Sequence, residues 1–232
     1  MNDCCGVPGG ASEPRAYDLA VIGAGSAGFS AAITAANEGA RIALVGHGTI
    51  GGTCVNIGCV PSKTLIRAAE AVHAAQSVAR FPGLVGNATL TGWSALMDAK
   101  DELVATLRRK KYADLLPGHE TIDYIEGQAR FADGMLMVGG APLRAGKVVI
   151  ATGAAPALPD IPGIANLPIL TSTSAPELHE RPGSLLVIGG GYIGCELAQL
   201  FARLGSKVTL VTRSRLLPES EPEVSAALTG YL

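Results

Sequence analysis

Aromatic side chains are scarce in this chain of 232 residues: phenylalanine, tryptophan and tyrosine together make up 4% of it. Surfaces that grip single-stranded nucleic acid stack bases on aromatic rings, so that class of function is disfavoured. Neither sign of charge dominates; the net charge is −2, which provides no field for nucleic acid or an anionic membrane. Residues 1–14 contain no basic stretch followed by an apolar core, so no secretory signal is expected, and the cytoplasm is the default location. The uncharged run Leu19–Ala36 is long enough to be mistaken for a membrane span. Gly23, Gly25 and Gly28 interrupt it, and it reads better as strand, turn and helix. The five cysteines, Cys4, Cys5, Cys54, Cys59 and Cys195, are odd in number and irregularly spaced, which excludes a secreted disulfide framework.

What the chain does have is glycine and apolar residues, 30 glycines and 48% apolar content, the composition of an α/β protein with many tight turns. Tyr17–Ile22 reads as a buried parallel strand. It runs into Gly23-Ala24-Gly25-Ser26-Ala27-Gly28, a small-residue helix from Phe29 to Glu38 closed by Gly39, and a second strand from Arg41 to Val45. This is the dinucleotide-binding glycine turn in the strand–helix context it requires. The first glycine makes the turn, the second lets backbone approach a pyrophosphate, and the third lets the helix pack on the strand. The helix N-terminus then offers unpaired N–H groups and partial positive charge to phosphate. No Asp or Glu follows the second strand, Leu44-Val45-Gly46-His47, so a backbone group or His47 is expected to take the ribose contact. The pattern recurs: Leu185–Ile188, then Gly189-Gly190-Gly191-Tyr192-Ile193-Gly194, a helix from Cys195 to Leu204 ended by Gly205, and a strand from Lys207 to Val211. Arg213 and Arg215 stand where an acid would favour NAD, so they are expected to accept a 2′-phosphate and favour NADPH.

Between the two turns lies Gly51-Gly52-Thr53-Cys54-Val55-Asn56-Ile57-Gly58-Cys59-Val60-Pro61-Ser62-Lys63. Residues five apart in an undistorted helix point about 140° from each other. Pairing of Cys54 with Cys59 therefore needs a bent backbone, which Gly58 and Pro61 would permit. An accessible, strained pair of that kind does redox work; the alternatives are inert thiols or part of a metal site, although a zinc site would need further ligands. Cys4-Cys5 is read either as two exposed thiols without a role or as a mobile soft-metal pair. Further helices are expected over 62–79 and 94–116. The basic run Arg108-Arg109-Lys110-Lys111 is expected on a solvated face. Short strands are expected over 121–125, 128–131, 135–138 and 147–150, and a proline-rich boundary over 154–167.

Two dinucleotide turns flanking a CxxxxC pair resemble the pyridine nucleotide–disulfide oxidoreductases from about residue 16 onward. Val60-Pro61-Ser62-Lys63 combined with Arg213 and Arg215 is most similar to the branch that reduces mercuric ion. The resemblance implies two Rossmann-like βαβ domains after a flexible tail at 1–15. An FAD domain with a β-meander would span 16–155 and carry the redox disulfide, and an incomplete NADPH domain would span 156–232. It implies that electrons pass from NADPH through FAD to Cys54 and Cys59 and on to Hg(II), supplied as thiol complexes and released as Hg(0). Cys59 would be the thiol nearest the flavin and Cys54 the outer thiol. Lys63 would pair with Glu196, and Tyr192 would cover the flavin until nicotinamide displaces it. Cofactor contacts are expected at Gly23, Gly25, Ser26, Gly28, Gly52, Thr53, Lys63, Ala129, Thr152 and Gly153, and at Gly189, Gly191, Tyr192, Ile193, Gly194, Arg213 and Arg215. Cys54 and Cys59, and with them Cys4 and Cys5, are the candidate ligands for the mercuric ion. Members of that family are longer and form homodimers, so this chain is expected to be an N-terminal fragment whose sheet faces lack partners. A lipoamide or small-disulfide reductase, or an inactive nucleotide-binding fragment, are the alternative functions.

Overall fold

The computed structural model describes residues 17–232; Cys4 and Cys5 lie outside the described residues. In chain order these contain β1 (Tyr17–Ile22), α1 (Ser26–Asn37), β2 (Ile42–Gly46), α2 (Gly52–Asn56), α3 (Cys59–Gln76), α4 (Trp93–Lys111), β3 (Ile122–Glu126), β4 (Ala129–Ala132), β5 (Met135–Val138), β6 (Ala141–Leu143), β7 (Ala145–Ile150), β8 (Ser184–Ile188), α5 (Tyr192–Arg203), β9 (Lys207–Val211) and α6 (Pro222–Tyr231). They divide into two units. One holds the residues up to Ile50 together with Tyr112–Gly153; the other holds Gly51–Lys111 with Ala154–Leu232.

In the first unit every residue of β2 is buried. A strand covered on both faces carries a continuous apolar run rather than an alternation, which is why Ile42-Ala43-Leu44-Val45 could be read directly. The sheet order is β3-β2-β1-β7, parallel throughout. Ile22 pairs with both Val45 and Ile150, so β1, β2 and β7 end at one edge of the sheet. The antiparallel meander β4-β5-β6 places Leu136 and Val138 against Ala20, Ile22, Ala43 and Val45. Val21 points to the opposite face, where a Cβ added at Gly28 of α1 would lie 3.5 Å from its Cγ1. Several elements differ from expectation. Helix α1 opens at Ser26, because the turn ends at Gly25 and Ser26-Ala27-Gly28 form its first turn. The basic helix α4 stops at Lys111, and a 3-10 segment, Ala113–Gly118, follows it. Strand β6 was not anticipated; it contains Pro142 and is tolerated as an edge strand.

The second unit is built around Leu65 and Ala69 of α3, Met97 of α4, Ala175, and Leu200, Phe201 and Leu204 at α5. Trp93 stacks on Phe201 with ring centroids 6.0 Å apart, and its Nε1 donates to the Leu178 carbonyl at 2.7 Å. The most unexpected core member is Lys100, whose side chain is 0% exposed. Its ammonium donates to the Pro176 carbonyl at 3.0 Å and reaches Glu177 Oε1 and Asp101 Oδ1, each at 2.8 Å. A buried charge needs partners of this kind, and they tie α4 to the short turn Ala175–Glu177. Strands β8 and β9 pair in parallel, with Leu185 and Val208 packed on the core and Leu186 and Ile188 exposed. The expectation of an uncovered sheet face fits this pair; in the four-stranded sheet of the first unit, β1 and β2 are covered instead.

Candidate functional site

Each glycine turn is built the same way. Gly23 has φ +116°, and a Cβ on Gly28 would lie 1.8 Å from the Gly23 carbonyl oxygen; Gly189 has φ +119°, and a Cβ on Gly194 would lie 2.0 Å from the Gly189 oxygen. No side chain fits at the third glycine, so the helix can seat directly on the turn. Neither α1 nor α5 has a side-chain cap or an acid in its first turn. The leading N–H groups are thus left for an anion, and a Cβ at Gly191 would meet nothing within 4 Å. Both turns fit the pyrophosphate of a dinucleotide on these grounds.

The first turn is joined by β7. The Ala151 N–H donates to the Ile22 carbonyl at 2.7 Å, and a Cβ on Gly23 would lie 2.2 Å from the Ala151 oxygen. Thr152 and Gly153 follow directly, Gly153 at φ +75°, so they emerge beside Gly23–Gly28. The Ser26 hydroxyl is engaged with the Tyr112 hydroxyl at 2.8 Å, and Phe29 packs edge-on against the Tyr112 ring. Ala129 pairs with Val138 and packs against the core, so only its backbone is available to a ligand. His47 stands exposed on the loop after β2.

At the second turn, Gly189 N–H donates to Val211 O at 2.8 Å and Leu217 N–H to Gly190 O at 2.7 Å, so the segment after β9 folds back over the glycines. Tyr192 is 64% exposed and its hydroxyl lies 3.2 Å from Ser220 Oγ. The two arginines differ. Arg215 donates to the carbonyls of Pro218 at 3.0 Å and Ser220 at 2.6 Å, shaping the loop. Among the described residues Arg213 has no hydrogen-bond or ion-pair partner and is exposed. Ile193 is exposed beside Tyr192. Cys195 is buried, its Sγ donates to Gly190 O at 3.5 Å, and burial followed by the charge of Glu196 raises its pKa, so it packs as an unreactive thiol.

The cysteine pair sits on a break between two helices. Gly51 at φ 104° starts α2, Val55 anchors it, and the chain leaves helix at Ile57-Gly58 before α3 starts at Cys59. A Cβ on Gly58 would lie 2.9 Å from the Thr53 carbonyl oxygen, so the return over α2 is too close for a side chain. Pro61 plays no part in the bend; it occupies the first turn of α3, where N–H groups have no intrahelical acceptor. Cys54 and Cys59 are exposed free thiols, and Thr53 beside them is exposed. The Cys54 pKa is raised, first by a side-chain hydrogen bond with Cys59, then by burial and the Cys59 charge. The Cys59 backbone N–H and the Lys111 ammonium oppose this. Lys63 lies one turn beyond Cys59 on the same face of α3, and its Nζ donates to Glu196 Oε1 at 2.5 Å. Glu196 in turn lies one turn beyond Tyr192 on α5, which continues the line from dithiol to second glycine turn. Sequence reasoning missed two residues here. Asn56 Nδ2 donates to Gly52 O at 2.9 Å across α2, and Arg108 Nη1 donates to Asn56 Oδ1 at 3.2 Å. The only signal for Arg108 was its place in the basic run, which was read as solvated. Among the described residues no group of three or more His, Cys, Asp or Glu is placed to hold a metal ion, and no helix is long and apolar enough to cross a membrane.

Two pyrophosphate-shaped glycine turns and a bent, exposed dithiol define the class of nucleotide-dependent dithiol oxidoreductases. The family model for the pyridine nucleotide-disulphide oxidoreductases matches residues 17–232, and the chain belongs to that family. Its relatives include mercuric reductases from Streptomyces lividans, 51% identical over 91% of this chain and 46% of that protein, and from Lysinibacillus sphaericus, 49% identical over 93% and 40%. Among solved structures, the HOCl-induced flavoprotein disulfide reductase RclA from Escherichia coli is 36% identical, with a TM-score of 0.79 over 93% of this chain and 46% of that one. A Cu(II) complex of RclA is 35% identical with a TM-score of 0.80. The chain spans less than half the length of these curated relatives. Family membership implies FAD and a nicotinamide nucleotide as cofactors.

Proposed function

We propose that this chain supplies the cofactor turns and the redox dithiol of a mercuric-ion reductase, with residues 16–155 serving FAD and 156–232 serving NADPH. Bound FAD and NADPH would supply two-electron transfer. Gly23, Gly25 and Gly28, with Thr152 and Gly153, would hold the flavin nucleotide. Gly189, Gly191 and Gly194 would hold NADPH, with Arg213 on its 2′-phosphate. Cys59, at the start of α3, would take the inner, electron-receiving role, and Cys54, on α2, the outer one. Lys63, steadied by Glu196, keeps positive charge one turn from Cys59. Tyr192 is exposed, and among the described residues its hydroxyl meets only Ser220, which leaves the ring free to give way to nicotinamide. Overall, NADPH gives up two electrons and a proton, and Hg(II) bound by two soft thiolates leaves as Hg(0). The re-reduction of a dithiol by NADPH suits the cytoplasm, and the full-length form would be a homodimer.

The observation that carries this reading is the pair of exposed thiols, Cys54 and Cys59, set on either side of the Gly58 break in a chain 51% identical to a mercuric reductase. The test is NADPH oxidation by the FAD-loaded protein with Hg(II) and excess thiol, next to Cys54→Ala and Cys59→Ala. Loss of Hg(II)-dependent oxidation in both variants with FAD retained is expected; retained turnover refutes the roles. The Cu(II) complex of RclA favours a second reading, in which Cu(II) replaces Hg(II) as electron acceptor in the same assay.

A further inference from the structure

The end of α4 is strongly basic, and it is packed beside α2 rather than merely solvated. Arg108 Nη1 reaches Asn56 Oδ1 at 3.2 Å, two residues after Cys54. Lys111 lies three residues beyond Arg108 and therefore on the same face of α4, the face turned to α2. Helix α2 itself, Gly52–Asn56, contains no charged residue. Among the described residues neither Arg108, Arg109, Lys110 nor Lys111 has an ion-pair partner, so their charge is not cancelled locally. Cys54 lies on α2, two residues before Asn56, so this basic end of α4 is packed beside the helix that carries the thiol.

We propose that Arg108 and Lys111 form a cationic flank at the outer thiol, and that this flank selects metal ions delivered as anionic thiolate complexes over those delivered as neutral ones. The proposal rests on Cys54 being the thiol that meets substrate. A soft ion in a reducing solution is carried as RS–M–SR. Where R bears carboxylates the carrier is an anion, and the flank raises its local concentration. The exchange is balanced without an oxidant. Cys54 S–H and RS–M–SR give Cys54 S–M–SR and RSH, the Cys54 proton leaving on the displaced thiolate. Cys59 then displaces the second RSH in the same way. Arg108 also positions α2 through Asn56; Lys111 has no hydrogen-bond or ion-pair partner among the described residues and is the cleaner probe.

The test needs neither flavin nor turnover, so it can fail while the enzyme reading stands. Alkylation of Cys54 by iodoacetate, an anion, and by iodoacetamide, its neutral analogue, is followed by fragment-ion mass spectrometry of the Cys54 peptide. Both reagents attack the same thiolate, so their rate ratio cancels any change in thiol ionisation or folding and reports only the field on the reagent. One unit charge about 7 Å away in water changes that ratio about two- to threefold at low salt. Lys111→Gln should lower the ratio by about that factor and Lys111→Glu by about its square, Lys111→Arg should restore it, and about 1 M salt should erase the difference. A parallel measurement replaces the alkylating agents with Hg(II) complexed by mercaptoacetate or by 2-mercaptoethanol and should move the same way. A ratio unchanged in both Lys111→Gln and Lys111→Glu at low salt overturns the proposal.

Discussion

Gly58→Ala is the substitution that bears most directly on the dithiol. The added methyl would lie 2.9 Å from the Thr53 carbonyl oxygen and 3.3 Å from both the Thr53 carbonyl carbon and its Cγ2. Two of these three atoms are backbone of α2, which Val55, Asn56 and Arg108 hold in place. The relief must therefore come from moving Cys59 away from Cys54. Overpacking of this sort costs about 1–3 kcal/mol. The free dithiol can relax and avoid most of that cost, but a disulfide requires the close return, so the strain falls mainly on the oxidised form. At about 1.4 kcal/mol per tenfold, the disulfide should become roughly five- to a hundredfold less favourable, a shift of about 20–60 mV toward easier reduction. The assay is a glutathione redox titration read by thiol trapping and mass spectrometry of the peptide containing both cysteines. Gly183→Ala is the control, since its Cβ would meet nothing within 4 Å. An unchanged potential in folded Gly58→Ala would refute the claim that this close approach sets the pair's geometry.

Cys59→Ala removes the hydrogen bond that raises the Cys54 pKa, so the pH profile of Cys54 alkylation should move to lower pH and the rate near pH 8 should rise; a profile at the same or higher pH contradicts the assignment. Lys100→Ala should cost about 2–4 kcal/mol in thermal or denaturant unfolding, because it leaves the Pro176 carbonyl without its donor and opens a cavity. Lys100→Met should cost less, because Asp101 and Glu177 are exposed enough to rehydrate. Arg213→Ala should weaken NADPH binding about tenfold while leaving NADH binding nearly unchanged, by isothermal titration. Arg215→Ala should weaken both nucleotides, because it releases Pro218 and Ser220 from the loop over the second turn.

Legibility in the chain tracked the range of the forces involved. The glycine turns could be read because a single steric requirement, no Cβ at Gly28 or Gly194, leaves a mark at a fixed offset from a strand. Strands β1 and β2 could be read because burial writes itself as a local apolar pattern. The Cys54–Cys59 bend could be anticipated from spacing alone, although the sequence did not separate Gly58, which makes the bend, from Pro61, which does not. The Lys63–Glu196 pair, 133 residues apart, was reachable only through family resemblance. Nothing local to Lys100 marks it for burial; the turn at Ala175–Glu177, more than seventy residues on, makes that burial tolerable. Arg108 looked solvated until α2 was laid against α4, and Ser26 meets Tyr112 across 86 positions. Composition and glycine spacing determined the α/β class, the two nucleotide turns and the dithiol. Tertiary structure alone decided which charges surround that dithiol, because a side chain's partner depends on where packing brings distant helices together, and no local pattern records that.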